Sequence, residues 1–143
     1  MMRVNLPHSG DMVLIDEVLE FGEGFISVKS KIKPQNAFLE NEKFYTYKCI
    51  EMMAQSLGAY KGLYNKDNFS IGFLLGARDF EIYKNVLNIG DELTIKSNVS
   101  MQDESGFGVW YSEILLKDEL IAKATLSVLS PSKEQFLELK NAK

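Results

Sequence analysis

Two side chains in this sequence have the character for proton transfer, Glu51 and His8. Glu51 lies in Ile50-Glu51-Met52-Met53-Ala54-Gln55. A carboxyl group among apolar neighbours is costly to bury unless it is paired, protonated or hydrogen-bonded. Such a setting favours the neutral form and makes a carboxyl a proton donor. Gln55 stands four residues further on, on the same helical face, where its amide could donate to one carboxylate oxygen and hold the rotamer. His8 is the only histidine, and imidazole is the natural base near neutral pH. Each residue also has a plainer reading. Glu51 could be a solvated residue favoured by the dipole of a helix start, and His8 a loop histidine satisfied by backbone.

The elements that must position these residues follow from the pattern. Pro7 and Gly10 mark a loop around His8. Residues 12–33 read as a hairpin: Met12 to Phe21 is apolar and β-branched, Gly22-Glu23-Gly24 turns, and Phe25 to Lys33 alternates. In that second strand Ile26, Val28, Ser30 and Ile32 share one side, and Ser27, Lys29, Lys31 and Lys33 the other. Pro34 to Thr46 is irregular. A helix from about Tyr47 to Tyr64 carries apolar residues on nearly every side, so it is expected to be buried. Gly58 and Gly62 cost about 1 kcal/mol each in a helix and call for close packing by a sheet.

After a turn at residues 65–68 the chain reads as strands almost to its end. Phe69 to Tyr83 has Gly72 and Gly76 as candidate bends or bulges. Asn88-Ile89-Gly90-Asp91 is a turn, and Leu93, Ile95, Val99 and Met101 alternate. Val109–Leu116 and Leu120–Leu129 are joined by Lys117-Asp118-Glu119. Residues 132–143 look like a short, charged, frayed helix. Strand, strand, helix, then long antiparallel strands is an α+β layout.

Composition narrows the classes. At 143 residues, 45% hydrophobic and 25% charged, the chain suits one domain over residues 1–143, with its core in about 6–130. The net charge of −4 and the absence of a basic run argue against nucleic acid as a partner. One Cys and one His cannot make the usual four-ligand zinc site, so no metal is expected. Cys49 reads as a small buried hydrophobe. No apolar run approaches the ~20 residues of a membrane span. The first residues lack the apolar segment of a secretory signal, so a cytoplasmic location is expected.

Several strings then resemble a known family. Leu6-Pro7-His8 followed by Met12-Val13-Leu14-Ile15-Asp16-Glu17-Val18 is similar to the opening of FabZ-type 3-hydroxyacyl-acyl-carrier-protein dehydratases. Ile50-Glu51-Met52-Met53-Ala54-Gln55 resembles the start of their central helix, where the family's catalytic acid lies. Phe73-Leu74-Leu75-Gly76-Ala77-Arg78-Asp79-Phe80 and Ile89-Gly90-Asp91 resemble the strand and turn that follow. The likeness runs from about Leu6 to Leu129. It departs where the family carries a histidine in a Gly-His-Phe-Pro segment: this chain has Asn36-Ala37-Phe38-Leu39, with Ala37 at the histidine's position. Tyr45-Thr46 replaces the Pro-Gly that leads into the family's helix. The ApeP-like branch, from aryl-polyene-type lipid clusters, shares the Leu-Pro-His opening and a similar helix start.

The resemblance implies a hotdog fold, a long antiparallel sheet wrapped around one central helix. It implies a cytoplasmic lyase of fatty-acid or polyene-type lipid synthesis. The enzyme would dehydrate a 3-hydroxyacyl group, carried on the phosphopantetheine of an acyl carrier protein, to a trans-2-enoyl thioester, with no cofactor of its own. His8 would take the α-proton. Glu51, oriented by Gln55, would protonate the leaving hydroxyl, and backbone amides around Thr46 to Lys48 would hold the carbonyl. Thr46 is also a candidate N-cap. Tyr45, Tyr47, Met52, Met53 and Tyr60 would line an acyl tunnel or serve as plain core. Lys29, Lys31, Lys33, Lys43, Lys48, Arg78 and Lys84 would draw in the acidic carrier or simply be solvated. Protomers of the family pair edge to edge with the cleft between them, so a homodimer or larger homo-oligomer is expected. The alternatives are a hotdog acyl thioesterase and a non-catalytic, acyl-binding subunit of a hetero-oligomeric dehydratase.

Overall fold

The computed structural model describes residues 12–64 and 73–129. His8, the turn at 65–68, the beginning of the strand expected from Phe69, and the charged segment 132–143 lie outside the described residues.

Strands β1 (Glu17–Gly22) and β2 (Phe25–Lys31) form the expected hairpin. Its turn needs Gly24, whose φ of +81° suits a residue without Cβ. The first strand is shorter than the pattern implies. Residues 12–16 leave the sheet, for a reason given below. A short strand β3 (Lys43–Tyr45) leads through one 3-10 turn (Thr46–Lys48) into helix α1 (Cys49–Tyr64). Strands β4 (Phe73–Ile82), β5 (Val86–Asn88), β6 (Glu92–Gln102), β7 (Phe107–Leu116) and β8 (Glu119–Leu129) follow. Six strands make one antiparallel sheet in the order β1-β2-β6-β7-β8-β4, and β3 pairs with β5 in a second, two-stranded one. One helix against one long antiparallel sheet is the hotdog arrangement expected from the sequence.

The period-two pattern decides which side of the sheet is dry. Ile26, Val28, Ser30, Leu93, Ile95, Ser97, Trp110, Ser112, Ile114, Ala122, Ala124 and Leu126 are all buried. Ile26, Ser97, Ser112 and Ala124 stand opposite one another across four strands. They leave a row of mostly short side chains across the inner face. The Ser97 and Ser112 hydroxyls satisfy each other at 2.7 Å.

Against this face α1 buries Cys49, Met52, Met53, Gln55, Ser56, Leu57 and Ala59. The helix is not buried all round, however. Ile50, Glu51, Ala54, Gly58, Lys61 and Gly62 are half-buried and form a partly open strip. Alanine and glycine count as apolar in a sequence, yet they cover little surface. The same strip explains Gly58 and Gly62 differently from expectation, since neither is among the residues buried against the sheet. Far from the helix start, Tyr60 braces the fold. Its hydroxyl oxygen accepts the Gly24 amide at 2.9 Å, and its ring meets the edge of Trp110 at 4.8 Å.

Strand β4 is the outermost strand on its side. Leu74 to Asp79 are exposed. The pairing with β8 shifts register between Leu74 and Gly76 and again between Arg78 and Glu81, so the bulge expected near Gly76 is present. Tyr60→Phe removes the acceptor of the Gly24 amide while keeping the ring. It should lower the unfolding free energy by about 1–2 kcal/mol, measured by urea denaturation.

Candidate active site

The start of α1 is held from outside the helix. Thr46 is fully buried; its amide donates to the Asn85 carbonyl at 3.0 Å and its hydroxyl to the Lys84 carbonyl. Pairing of Lys43, Phe44 and Tyr45 with Asn88, Leu87 and Val86 fixes the approach. This corrects two expectations. Thr46 is not a side-chain cap, because the residue at the cap position is Tyr45 and no side chain caps the turn. Nor is the Thr46 amide a donor for a substrate carbonyl, since Asn85 already takes it. Of the three amides proposed for the carbonyl, Tyr47 remains, because the 3-10 turn over Thr46–Lys48 directs the Lys48 amide back to the Tyr45 carbonyl.

Glu51 stands in the first turn of α1, half-buried. Gln55 Nε2 lies 3.1 Å from Glu51 Oε1, the contact expected from their spacing. Gln55 itself is 2% exposed, and its amide does more than touch Glu51. Its Oε1 accepts the Leu14 amide at 2.7 Å, and its Nε2 also donates to the Met12 carbonyl at 2.9 Å. Residues 12–14 therefore run as a strap over the helix, tied by one side chain. That is why the first strand begins only at Glu17: the backbone groups of Met12 and Leu14 find their partners on Gln55. Ser30 of β2 donates its hydroxyl to the Leu14 carbonyl from the other side.

The chemical consequence is directional. An N–H can only donate and a carbonyl can only accept. Leu14 N–H thus demands the amide oxygen, and Met12 C=O demands the amide nitrogen. Glu51 Oε1 accepts an N–H, so this oxygen is anchored by Gln55.

The remaining expected residues separate. Met52 and Met53 are fully buried core, and Tyr60 is a brace between turn and sheet. Met52 and Met53 expose no surface of their own. Tyr45 is half-buried, Tyr47 is 56% exposed, and their rings stack at 6.3 Å. Lys48 Nζ donates to the Phe38 carbonyl at 2.6 Å and pairs with Glu40 at 2.9 Å. Glu40 also accepts the Tyr47 hydroxyl at 3.0 Å. The Lys48 and Tyr47 hydrogen bonds hold the Glu40 carboxyl below the usual carboxylate range. Lys48 is thereby a clip on the segment holding Ala37. Asn36, whose side chain accepts the Phe38 amide at 2.7 Å, shapes that segment into a turn.

Three of the other lysines have side-chain partners. Lys29 lies beside Glu17 and Glu92, Lys33 beside Asp16, and Lys43 donates to Asn88. The strap, Ser30 and the Glu40–Lys48 pair were missed by sequence reasoning. Their partners are far apart in the chain, and no local periodicity marks them. Among the described residues no helix is long and apolar enough to cross a membrane.

Several known proteins are similar to this chain. The ApeP-like family model, described as ApeP dehydratase, matches residues 2–138. A chain of the dehydratase heterocomplex ApeI:P from Xenorhabdus doucetiae is 27% identical with a TM-score of 0.83, over 95% of this chain and 94% of that one. A hypothetical thioesterase protein with coenzyme A from Streptococcus pneumoniae TIGR4 is 18% identical, TM-score 0.61, over 80% and 86%. The E. coli PaaI protein of the phenylacetic acid degradation operon is 16% identical, TM-score 0.60, over 79% and 81%. The last two share the fold. No curated protein matches.

Cys49, next to the site in sequence, is fully buried, and desolvation pushes its thiol up to about 12. It should resist alkylation in the native protein at pH 8 and react once the chain is unfolded, as mass spectrometry would report. The unfolded thiol ionises near 9.0, so between about 9 and 12 the unfolded chain holds fewer protons. The Cys49 contribution to stability is therefore lost as pH rises through that window.

Proposed function

This chain belongs to the ApeP-like dehydratase family, and from that premise we propose that it dehydrates a 3-hydroxyacyl thioester delivered on the phosphopantetheine arm of an acyl carrier protein. The single observation that carries the reading is the Glu51–Gln55 pair at the start of the buried helix.

A base removes the α-proton of the 3-hydroxyacyl thioester, and the electron pair moves toward the thioester carbonyl as an enolate. The Tyr47 amide at the helix start would face that oxygen. Glu51 gives its proton to the 3-hydroxyl, the C–O bond breaks, water leaves, and the enolate electrons form the trans-2 double bond. The base then holds one proton and Glu51 has lost one; return of a proton to Glu51 resets the site. His8 is the proposed base. It stands four residues before Met12, whose carbonyl is 2.9 Å from Gln55 Nε2.

The reading includes an oligomer. Among the described residues β4 is an outermost strand carrying exposed Leu74 and Leu75, and such an edge in a folded protein is normally covered. A second copy pairing along β4 would cover that edge. A second hotdog subunit is the other occupant. It is favoured by the 27% identical chain, which is part of a dehydratase heterocomplex; in that case this chain works with, or in support of, an active partner.

Purified protein mixed with a 3-hydroxyacyl carrier protein should yield a product lighter by one water, read by mass spectrometry. Glu51→Gln should slow this by about 10²–10⁴-fold. No water loss by the wild type, alone or with a second subunit, or an unchanged rate in Glu51→Gln, would overturn the proposal; release of free thiol instead would favour the thioesterase. Leu75→Lys, placing charge on the β4 edge, should shift the protein toward monomer in light scattering and reduce turnover in parallel.

A further inference from the structure

We propose that Ser30, on the sheet and remote in sequence from the helix, is a positioning residue for Glu51, acting through Leu14 and Gln55. The inference rests on Glu51 being the acid of the reading above.

The buried serine hydroxyls of the described residues fall into two kinds. Ser56 bonds back to the Met52 carbonyl within its own helix, and Ser97 and Ser112 satisfy each other inside the sheet. These close locally. Ser30 does not. It is 1% exposed, and its hydroxyl donates to the carbonyl of Leu14. Leu14 is itself 3% exposed, and its amide is the donor that fixes Gln55 Oε1 at 2.7 Å. Gln55 then holds Glu51 Oε1 at 3.1 Å. Leu14 is thus gripped on both sides by buried polar side chains, one from β2 and one from α1. Ser30 sets where Leu14 stands, Leu14 sets where the Gln55 oxygen points, and the opposite end of that amide sets Glu51.

Loss of the hydroxyl removes the donor that the Leu14 carbonyl uses. A buried carbonyl left in that state is driven to find another donor, and any turn of the Leu14 peptide drags the strap across Gln55. A displacement well under 1 Å at the amide is enough to loosen a 3.1 Å contact to the carboxyl. Met12 is tied to the same amide nitrogen. The strap that leads back toward His8 is therefore registered against Glu51 by the same three residues. Ser30 touches no reacting atom in this scheme. Its effect is on the geometry of the proton donor.

The test pairs Ser30→Ala with Ser97→Ala, which removes an equally buried hydroxyl from the same face of the sheet without a link to Glu51. Two readouts are used: steady-state turnover of a 3-hydroxyacyl carrier protein, and the side-chain carboxyl carbon resonance of Glu51 in isotope-labelled protein. Ser30→Ala should lower kcat by roughly ten- to a hundredfold with little change in KM, and should move the Glu51 resonance. Ser30→Thr, which keeps the hydroxyl, should restore most of both. Ser97→Ala should leave both near wild type even if it lowers Tm. The idea is overturned if Ser30→Ala changes neither readout, or if Ser97→Ala changes both as much. Should the wild type show no water loss at all, the acid role of Glu51 has failed. The resonance then decides the coupling alone: movement in Ser30→Ala but not in Ser97→Ala upholds it, and any other pattern rejects it.

Discussion

A primary amide has two unlike ends, and neighbours of unlike kind leave it one orientation. At Gln55 the neighbours are a backbone N–H from Leu14 and a backbone C=O from Met12. Turning the amide over would set donor against donor and acceptor against acceptor. With Gln55 only 2% exposed, water is not at hand to take up the loss, and each buried group left unmatched costs about 1–3 kcal/mol. The Gln55 side chain is therefore as fixed as the backbone around it. Glu51 inherits that fixity through Nε2. The placement of the Glu51 carboxyl is traced in this way to an alternation of donors and acceptors on a strap that belongs to no strand.

The same logic governs the other side of the helix start. Thr46 spends both its amide and its hydroxyl on the Lys84–Asn85 backbone, and Lys48 spends its ammonium on Phe38 and Glu40. A helix whose first turn is clamped by β3, β5 and the Phe38 segment cannot fray there, although its opening turn is a 3-10 one. The ion pair itself adds little, since Glu40 is exposed and surface pairs are worth about 0–1 kcal/mol. Position is what it contributes. Strap and clamp together hold the first turn in register with the sheet, so that the strip carrying Glu51 faces outward while Met52 and Met53 face the core.

Much of this was legible in the residues. The alternation of Ile26, Val28 and Ser30 gave both the strand and its buried face, and the i, i+4 spacing of Glu51 and Gln55 gave their contact. What was not legible shares a physical cause. Met12 to Leu14 is apolar enough for a strand, but its backbone partners are decided by a glutamine about forty residues away. Met52 looks like a tunnel residue beside Glu51, yet one residue along a helix is a turn of about 100°, enough to carry it from the open strip into the core. Thr46 has the chemistry of a cap, but a better-placed carbonyl at Lys84 claims its hydroxyl. Lys29 and Lys31 share a strand face as the alternation predicts, and Lys33 lies just past the end of that strand. Whether that face is a free cationic patch depends on Glu17 and Glu92 beside Lys29 and Asp16 beside Lys33, which periodicity does not report. Ala37 remains a real departure from the FabZ pattern, and the turn built around Asn36 and Phe38 leaves it exposed.

The two rims of the sheet are built differently, and the difference bears on the proposed assembly. The β1 rim has Glu17 and Glu20 and a register shift at Leu19, two devices that discourage a further strand from adding. The β4 rim has exposed Leu74, Leu75 and Ala77, and then Arg78 and Asp79 with opposite charges. Exposed apolar residues in a row on an edge are a liability for a chain that works alone. They are an asset if a second hotdog chain lies there. The half-open strip of α1 points the same way. Gly58 costs about 1 kcal/mol relative to alanine, and a strip facing only water gains nothing from that cost. On the proposed reading the cost has a purpose, because a low surface next to Glu51 lets an acyl thioester or a partner's strand come close to the oxygen that gives the proton.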